Sequence, residues 1–189
     1  MASRAIKDDE TGIEPIVIAI DGIAVVIHPE NSNATSLTTE QIKGIFTGQL
    51  TNWQDVGGQN VDIVVVNREE GSGTRDAFAE IVLGGESFAQ QAIIQNSTGA
   101  VREAVGQDIN AIGYISFGGL NDSVKAVDVN HVEATEDNIK SGSYPIARPY
   151  NFLLNDSQQP SDIAQAFVDY ILSADGQAIV ADNGYIPVQ

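Results

Sequence analysis

An α/β architecture is what this sequence predicts, on three observations. Strand-like runs rich in β-branched residues alternate with segments of helical periodicity. The strongest strand runs, residues 16–28 and 61–66, are apolar nearly throughout, as strands buried on both faces are. The helical segments carry their own start and stop residues.

Taken in order, IVIAIDGIAVVIH (16–28) reads as one long strand or two, with Asp21-Gly22 marking a bend or crossing point. Residues 29–36 are polar loop. Thr38-x-x-Gln41 is a capping box that opens the helix TEQIKGIF, and Gly48 ends it. Asp55-Val56-Gly57-Gly58 is a turn, and VDIVVV (61–66) is the second strand. DAFAEIV then places Ala77, Phe78, Ile81 and Val82 on one helical face. A further helix is expected over 86–94, and another from a Ser97 or Thr98 cap to about Val105. AIGYISF (111–117) and residues 124–129 are strands. Tyr144 to Leu154 is extended, its two prolines suiting an edge or crossover. Ile163 to Leu172 is an amphipathic helix, and Ala174 to Ala181 continues or repeats it until Gly184.

Composition narrows the function. The 189 residues are 42% hydrophobic and 19% charged, which excludes a disordered tail. The longest apolar run, Ile16 to Ile27, is too short to span a bilayer and is broken by Asp21 and Gly22. Nine Lys+Arg against 26 Asp+Glu give a net charge of −17. Such a surface repels nucleic acid and anionic lipid, so neither is an expected partner and no membrane insertion is expected. Without cysteine there is no disulfide, thiol nucleophile or zinc–thiolate site. His28 and His131 lack clustered carboxylates, so no metal site is read, and no cofactor is implied. The sequence as given opens without an export signal.

Chemistry concentrates in Arg68-Glu69-Glu70-Gly71-Ser72-Gly73-Thr74-Arg75-Asp76, between a buried strand and a helix. Gly71 and Gly73 permit positive φ and close backbone approach. Ser72 and Thr74 supply hydroxyls. Free N–H groups of a first helical turn, with the positive end of the helix dipole, form a ready anion site. Arg68 offers a planar fork above it, and Arg75 is a second candidate. The window lacks the lysine of a nucleotide P-loop and the third glycine of a dinucleotide fingerprint. An ordinary N-capped loop would use the same glycines and hydroxyls. The nearby Arg68 favours a site for a tetrahedral oxyanion.

Beyond that loop, the order of several phrases resembles one family. IAIDGIAVVIHPEN, LTTEQIKGIFTGQLTNWQDVGG, VNREEGSGTRDAF, AIGYISF, YPIARPY and FVDYILSADGQAIVADNGYIPV are similar to the phosphate-binding proteins that deliver inorganic phosphate to an ABC importer. The resemblance implies a type II periplasmic-binding-protein-like fold of two lobes with phosphate between them. It implies phosphate contacts from Arg68, Ser72, Gly73 and Thr74; the residues themselves add Arg75 and Asp21 as further candidates. It implies importer membrane subunits as partners and an extracytoplasmic location for the full-length family. Asp21 would accept from a protonated phosphate oxygen, although a hinge or turn role is favoured for it. Arg148 is expected as a salt-bridge partner, Trp53 as packing, and Tyr114 and Tyr150 as candidates to line the cleft.

The resemblance also implies an incomplete first lobe. Residues 1–4 resemble the tail of a family stretch whose aspartate would precede residue 1. The expected division is residues 1–21 as a remnant of lobe I with its crossover, 22–143 as a complete lobe II, and 144–189 as the return half of lobe I. Each charge-assisted hydrogen bond lost with the missing part costs roughly 1.5–3 kcal/mol. Weak binding and poor phosphate/sulfate discrimination are therefore expected. So is exposed apolar surface, with a chain that self-associates, binds a partner chain or is partly disordered. That makes an interaction or sensing module the alternative function. A phosphoryl-transfer enzyme would need a metal-binding carboxylate pair and a base near Arg68. The nearby acids Glu69, Glu70 and Asp76 are expected to face solvent, so no catalysis is assigned.

Overall fold

The structure, a computed structural model, describes residues 6, 7 and 9–189; the expectations for residues 1–4 and for Asp8 lie outside the described residues. In chain order the elements are β1 (Ile13–Ile27), β2 (Ser36–Leu37), α1 (Thr39–Thr47), β3 (Val64–Arg68), α2 (Gly73–Phe78), β4 (Ile93–Gln95), α3 (Thr98–Gln107), β5 (Ala111–Ser116), β6 (Lys125–Ala126), β7 (Asp128–Val129), α4 (Glu136–Lys140), β8 (Ala147–Asn155), α5 (Asp162–Leu172) and α6 (Ala174–Asp182).

The β-branched run at the start becomes one strand that serves two pairings. Ile13 to Gly22 of β1 runs antiparallel to β8. Ile23 to Ile27 runs antiparallel to β5. Partners change at Gly22–Ile23, one residue past Asp21. Beyond the switch the sheet order is β4-β3-β5-β1-β6, with β3 parallel to both β4 and β5. The register shifts between Val17 and Ala19, and the Ile18 carbonyl there accepts from Gln177 Nε2 at 3.0 Å.

The main core lies on the β5 side of the switch. Ile23 to Ile27, Ile42, Ile45, Phe46, Trp53, Phe78 and Tyr114 are buried there. Trp53 also donates its indole N–H to the Asn110 carbonyl at 3.1 Å. The capping box of α1 forms: Gln41 N donates to Thr38 Oγ1 at 3.1 Å, and Thr38 N to Gln41 Oε1 at 2.9 Å. Residues 86–94 depart from the expected helix. Gly84 and Gly85, at φ 61° and 88°, end the helical segment before them. The Ala89 N–H bonds the Phe46 carbonyl at 2.8 Å, and Phe88 stacks on Phe78 and Tyr114. Ile93 to Gln95 then joins the edge of β3 as β4. Tertiary capture overrides a locally helical pattern.

On the β8 side, α5 turns Ile163, Phe167 and Tyr170 outward, with Ile163 85% and Phe167 56% exposed. These lie on one stripe at i, i+4 and i+7. Among the described residues no helix is long and apolar enough to cross a membrane.

Candidate anion-binding site

The site begins where β3 ends. Arg68 is the last residue of the strand, and Gly71, at φ 86°, turns the chain into α2. With nothing within 4 Å of its added Cβ, Gly71 is required by conformation and not by space. Ser72 caps the helix, its Oγ accepting from Arg75 N at 3.3 Å. With the oxygen accepting, the hydroxyl hydrogen is left to donate. The Ser72 N–H turns back to the Glu69 carbonyl at 3.3 Å, so it serves the turn.

Gly73 and Thr74 occupy the first two helical positions. Their N–H groups have no carbonyl four residues back within the helix. A π-helical segment, Ala79–Leu83, extends α2 and lengthens the row of aligned peptide dipoles behind them. Gly73 has no positive φ, and an added Cβ would meet nothing nearer than Arg148 Nη2 at 3.7 Å. The chain's own packing therefore does not demand glycine at this position.

Arg68 is held beside the turn in a fork. Its Nε and Nη2 donate to Glu69 Oε2 at 2.8 Å and Oε1 at 2.9 Å, and Nη1 reaches Thr98 Oγ1 at 3.4 Å. The Arg68 guanidinium holds the Glu69 carboxyl well below the usual carboxylate range, at about 2. The hydrogen bond to Glu69 raises Arg68 in turn. Below the loop, Tyr114 Oη donates to Asn67 Oδ1 at 2.5 Å, and Arg68 N donates to the same oxygen at 2.8 Å. Burial pushes the Tyr114 phenol up, so it remains a neutral donor.

The remaining candidates are engaged by other groups of the protein. The Arg75 guanidinium lies over the Phe88 ring at 5.0 Å. Asp21, 2% exposed, accepts from Ser116 Oγ at 2.7 Å through Oδ1 and from Arg148 Nη2 at 3.1 Å through Oδ2. Tyr114 is buried in the core, whereas Tyr150 accepts from Arg148 Nη2 at 3.0 Å. Glu70 and Asp76 are exposed. Among the described residues no cluster of His or acidic side chains could hold a metal. Two neighbours of the loop escaped the sequence reading as site residues. Thr98 starts α3 beside Arg68, and Arg148 reaches the Gly73 carbonyl with Nη1 at 2.9 Å. Only the cap at Ser97 or Thr98 left a local signal.

This loop geometry sits in a chain whose residues 1–175 match the family description "PBP superfamily domain". A solved structure from Clostridium perfringens, titled a putative phosphate ABC transporter substrate-binding protein with bound phosphate, superposes with a TM-score of 0.79. It is 43% identical, and the match covers 100% of this chain and 78% of that one. The chain belongs to the phosphate-binding protein family of the PBP superfamily. An ABC-type phosphate transport receptor from Vibrio cholerae reaches a TM-score of 0.89 at 32% identity, covering 97% of this chain and 77% of that one. Among curated members of the family, phosphate-binding protein PstS 2 of Streptococcus agalactiae serotype V is 45% identical over 136 residues. That match covers 67% of this chain and 46% of that protein. PstS of Bacillus subtilis is 34% identical over 174 residues, 90% of this chain and 56% of that protein. The chain thus spans about half the length of these curated relatives.

Proposed function

We propose that the β3–α2 loop binds inorganic phosphate, as part of a solute receptor that serves an ABC phosphate importer outside the cytoplasm. The observation that carries this reading is the pair of Gly73 and Thr74 amides, unbonded within the helix, at the turn that follows Arg68, whose guanidinium is held by Glu69 and reaches Thr98 with Nη1. Ser72 and Thr74 add hydroxyl donors. Such a set holds a tetrahedral oxyanion by directed N–H and O–H bonds at the positive end of a helix. It forms and breaks no covalent bond.

Residues 22–143 form one lobe in this reading, and residues 1–21 and 144–189 belong to the other. The change of β1 partners at Gly22–Ile23 supports that division. Discrimination of phosphate from sulfate needs an acceptor for the proton that phosphate alone carries near neutral pH. Asp21 is the one buried carboxylate among the described residues, and both its oxygens already accept from protein donors. Poor discrimination between the two anions is therefore expected. Titration calorimetry with phosphate and sulfate tests the reading. Saturable heat that disappears in Arg68→Ala supports it; no heat with concentrated phosphate ends it.

A second reading, an interaction module of the same fold, draws on the outward stripe of α5. Its occupant would be a second copy of the chain. Sedimentation velocity decides: a dimer that Phe167→Glu dissolves and phosphate leaves unchanged favours this reading, and a monomer at high concentration removes it.

A further inference from the structure

Arg148 is 7% exposed, lies far from the loop in sequence, and yet touches it. Its guanidinium is shared among three segments. Nε and Nη2 donate to Asp21 Oδ2 at 3.3 and 3.1 Å, on β1 at the strand's change of partner. Nη2 also donates to Tyr150 Oη at 3.0 Å on β8. Nη1 donates to the Gly73 carbonyl oxygen at 2.9 Å. The Gly73 carbonyl and the Thr74 N–H belong to one planar peptide unit. A bond to the carbonyl therefore fixes the direction of that N–H. A charge-assisted bond also polarises the peptide, which strengthens the N–H as a donor.

We propose that Arg148 is a positioning residue for the anion loop, acting through the Gly73–Thr74 peptide and tying it to the β1–β8 strand pair. The proposal rests on the loop being an anion site, and it concerns a residue that does not itself touch the anion. Asp21 neutralises the guanidinium, so its contribution is directional rather than a second free charge. Asp21 is in turn anchored by Ser116 at the end of β5. The peptide is thereby referenced to both sides of the partner switch.

The test uses the charge-neutral double variant Asp21→Asn/Arg148→Gln, which leaves no buried charge unpaired, together with Arg148→Lys. Circular dichroism establishes that each is folded. The first readout needs no ligand: the Thr74 amide proton resonance should move upfield in the double variant, with α3 amides unmoved. The second is phosphate affinity, expected to fall about tenfold in the double variant and less in Arg148→Lys. An unmoved Thr74 resonance overturns the proposal. So does phosphate affinity within about twofold of the parent. If the parent chain binds no phosphate, the anion reading fails separately, and the Thr74 resonance alone decides the role of Arg148.

Discussion

Asp21 and Arg148 sit opposite each other in the β1–β8 register, with Arg148 Nη2 3.1 Å from Asp21 Oδ2 and both side chains almost fully buried. A pair taken out of water in this way adds little net stability while intact. It is costly to break on one side only, because the survivor remains charged and desolvated. Asp21→Asn is therefore expected to destabilise the chain by about 3–5 kcal/mol. Urea unfolding followed by Trp53 fluorescence measures it. A loss below about 1 kcal/mol would mean that water reaches Arg148.

Gly73 separates folding from binding. Its backbone is not in the left-handed region, and an added methyl meets only the Arg148 guanidinium, at ordinary contact distances of 3.7 Å to Nη2 and 4.0 Å to Nη1. Alanine also favours a helix over glycine by up to ~1 kcal/mol. Gly73→Ala should thus melt at the same temperature or higher. The methyl narrows the approach to the Gly73 and Thr74 amides, so phosphate affinity should fall by about tenfold or more. Unchanged affinity by calorimetry would place the anion away from this peptide.

The Arg68–Glu69 fork makes a pH prediction. Glu69 titrates at about 2 in the folded chain, against 4.5 for an ordinary glutamate, because the charged form bonds Arg68. A depressed carboxylate contributes stability that is present above 4.5 and is lost as pH falls toward 2. Carbon-13 NMR of the Glu69 carboxyl should give a midpoint near 2, returning toward 4.5 in Arg68→Ala. A midpoint near 4.5 in the parent would show Arg68 to be free of Glu69 in solution.

What the sequence made legible follows the range of the interactions involved. The α1 cap was readable because Thr38 and Gln41 bond within one turn. The change of strand partner at Gly22–Ile23 falls where a charged residue and a glycine interrupt a β-branched run. Arg68, Ser72, Gly73 and Thr74 stood out because strand, turn and helix start fall within one short window. Residues 86–94 misled because their conformation is set by Phe46, Phe78 and Tyr114, none of them local. Neither the Arg75 stack on Phe88 nor the reach of Arg148 to Gly73 follows from spacing, since only the folded sheet brings these residues together.

Ser72 carries two roles on one hydroxyl, and two substitutions can part them. Its oxygen caps α2 through Arg75 N, and its hydrogen remains for the anion. Ser72→Ala removes both functions and should cost about 1 kcal/mol of stability. Ser72→Gly keeps most of the capping tendency, with a loss of only a few tenths of a kcal/mol by the same rule. If the hydroxyl donates to phosphate, both variants lose affinity to a similar degree while only Ser72→Ala is measurably destabilised. If Ser72 serves the helix alone, affinity follows stability, and Ser72→Gly binds as the parent does. Parallel urea titrations and calorimetry on the two variants distinguish these outcomes.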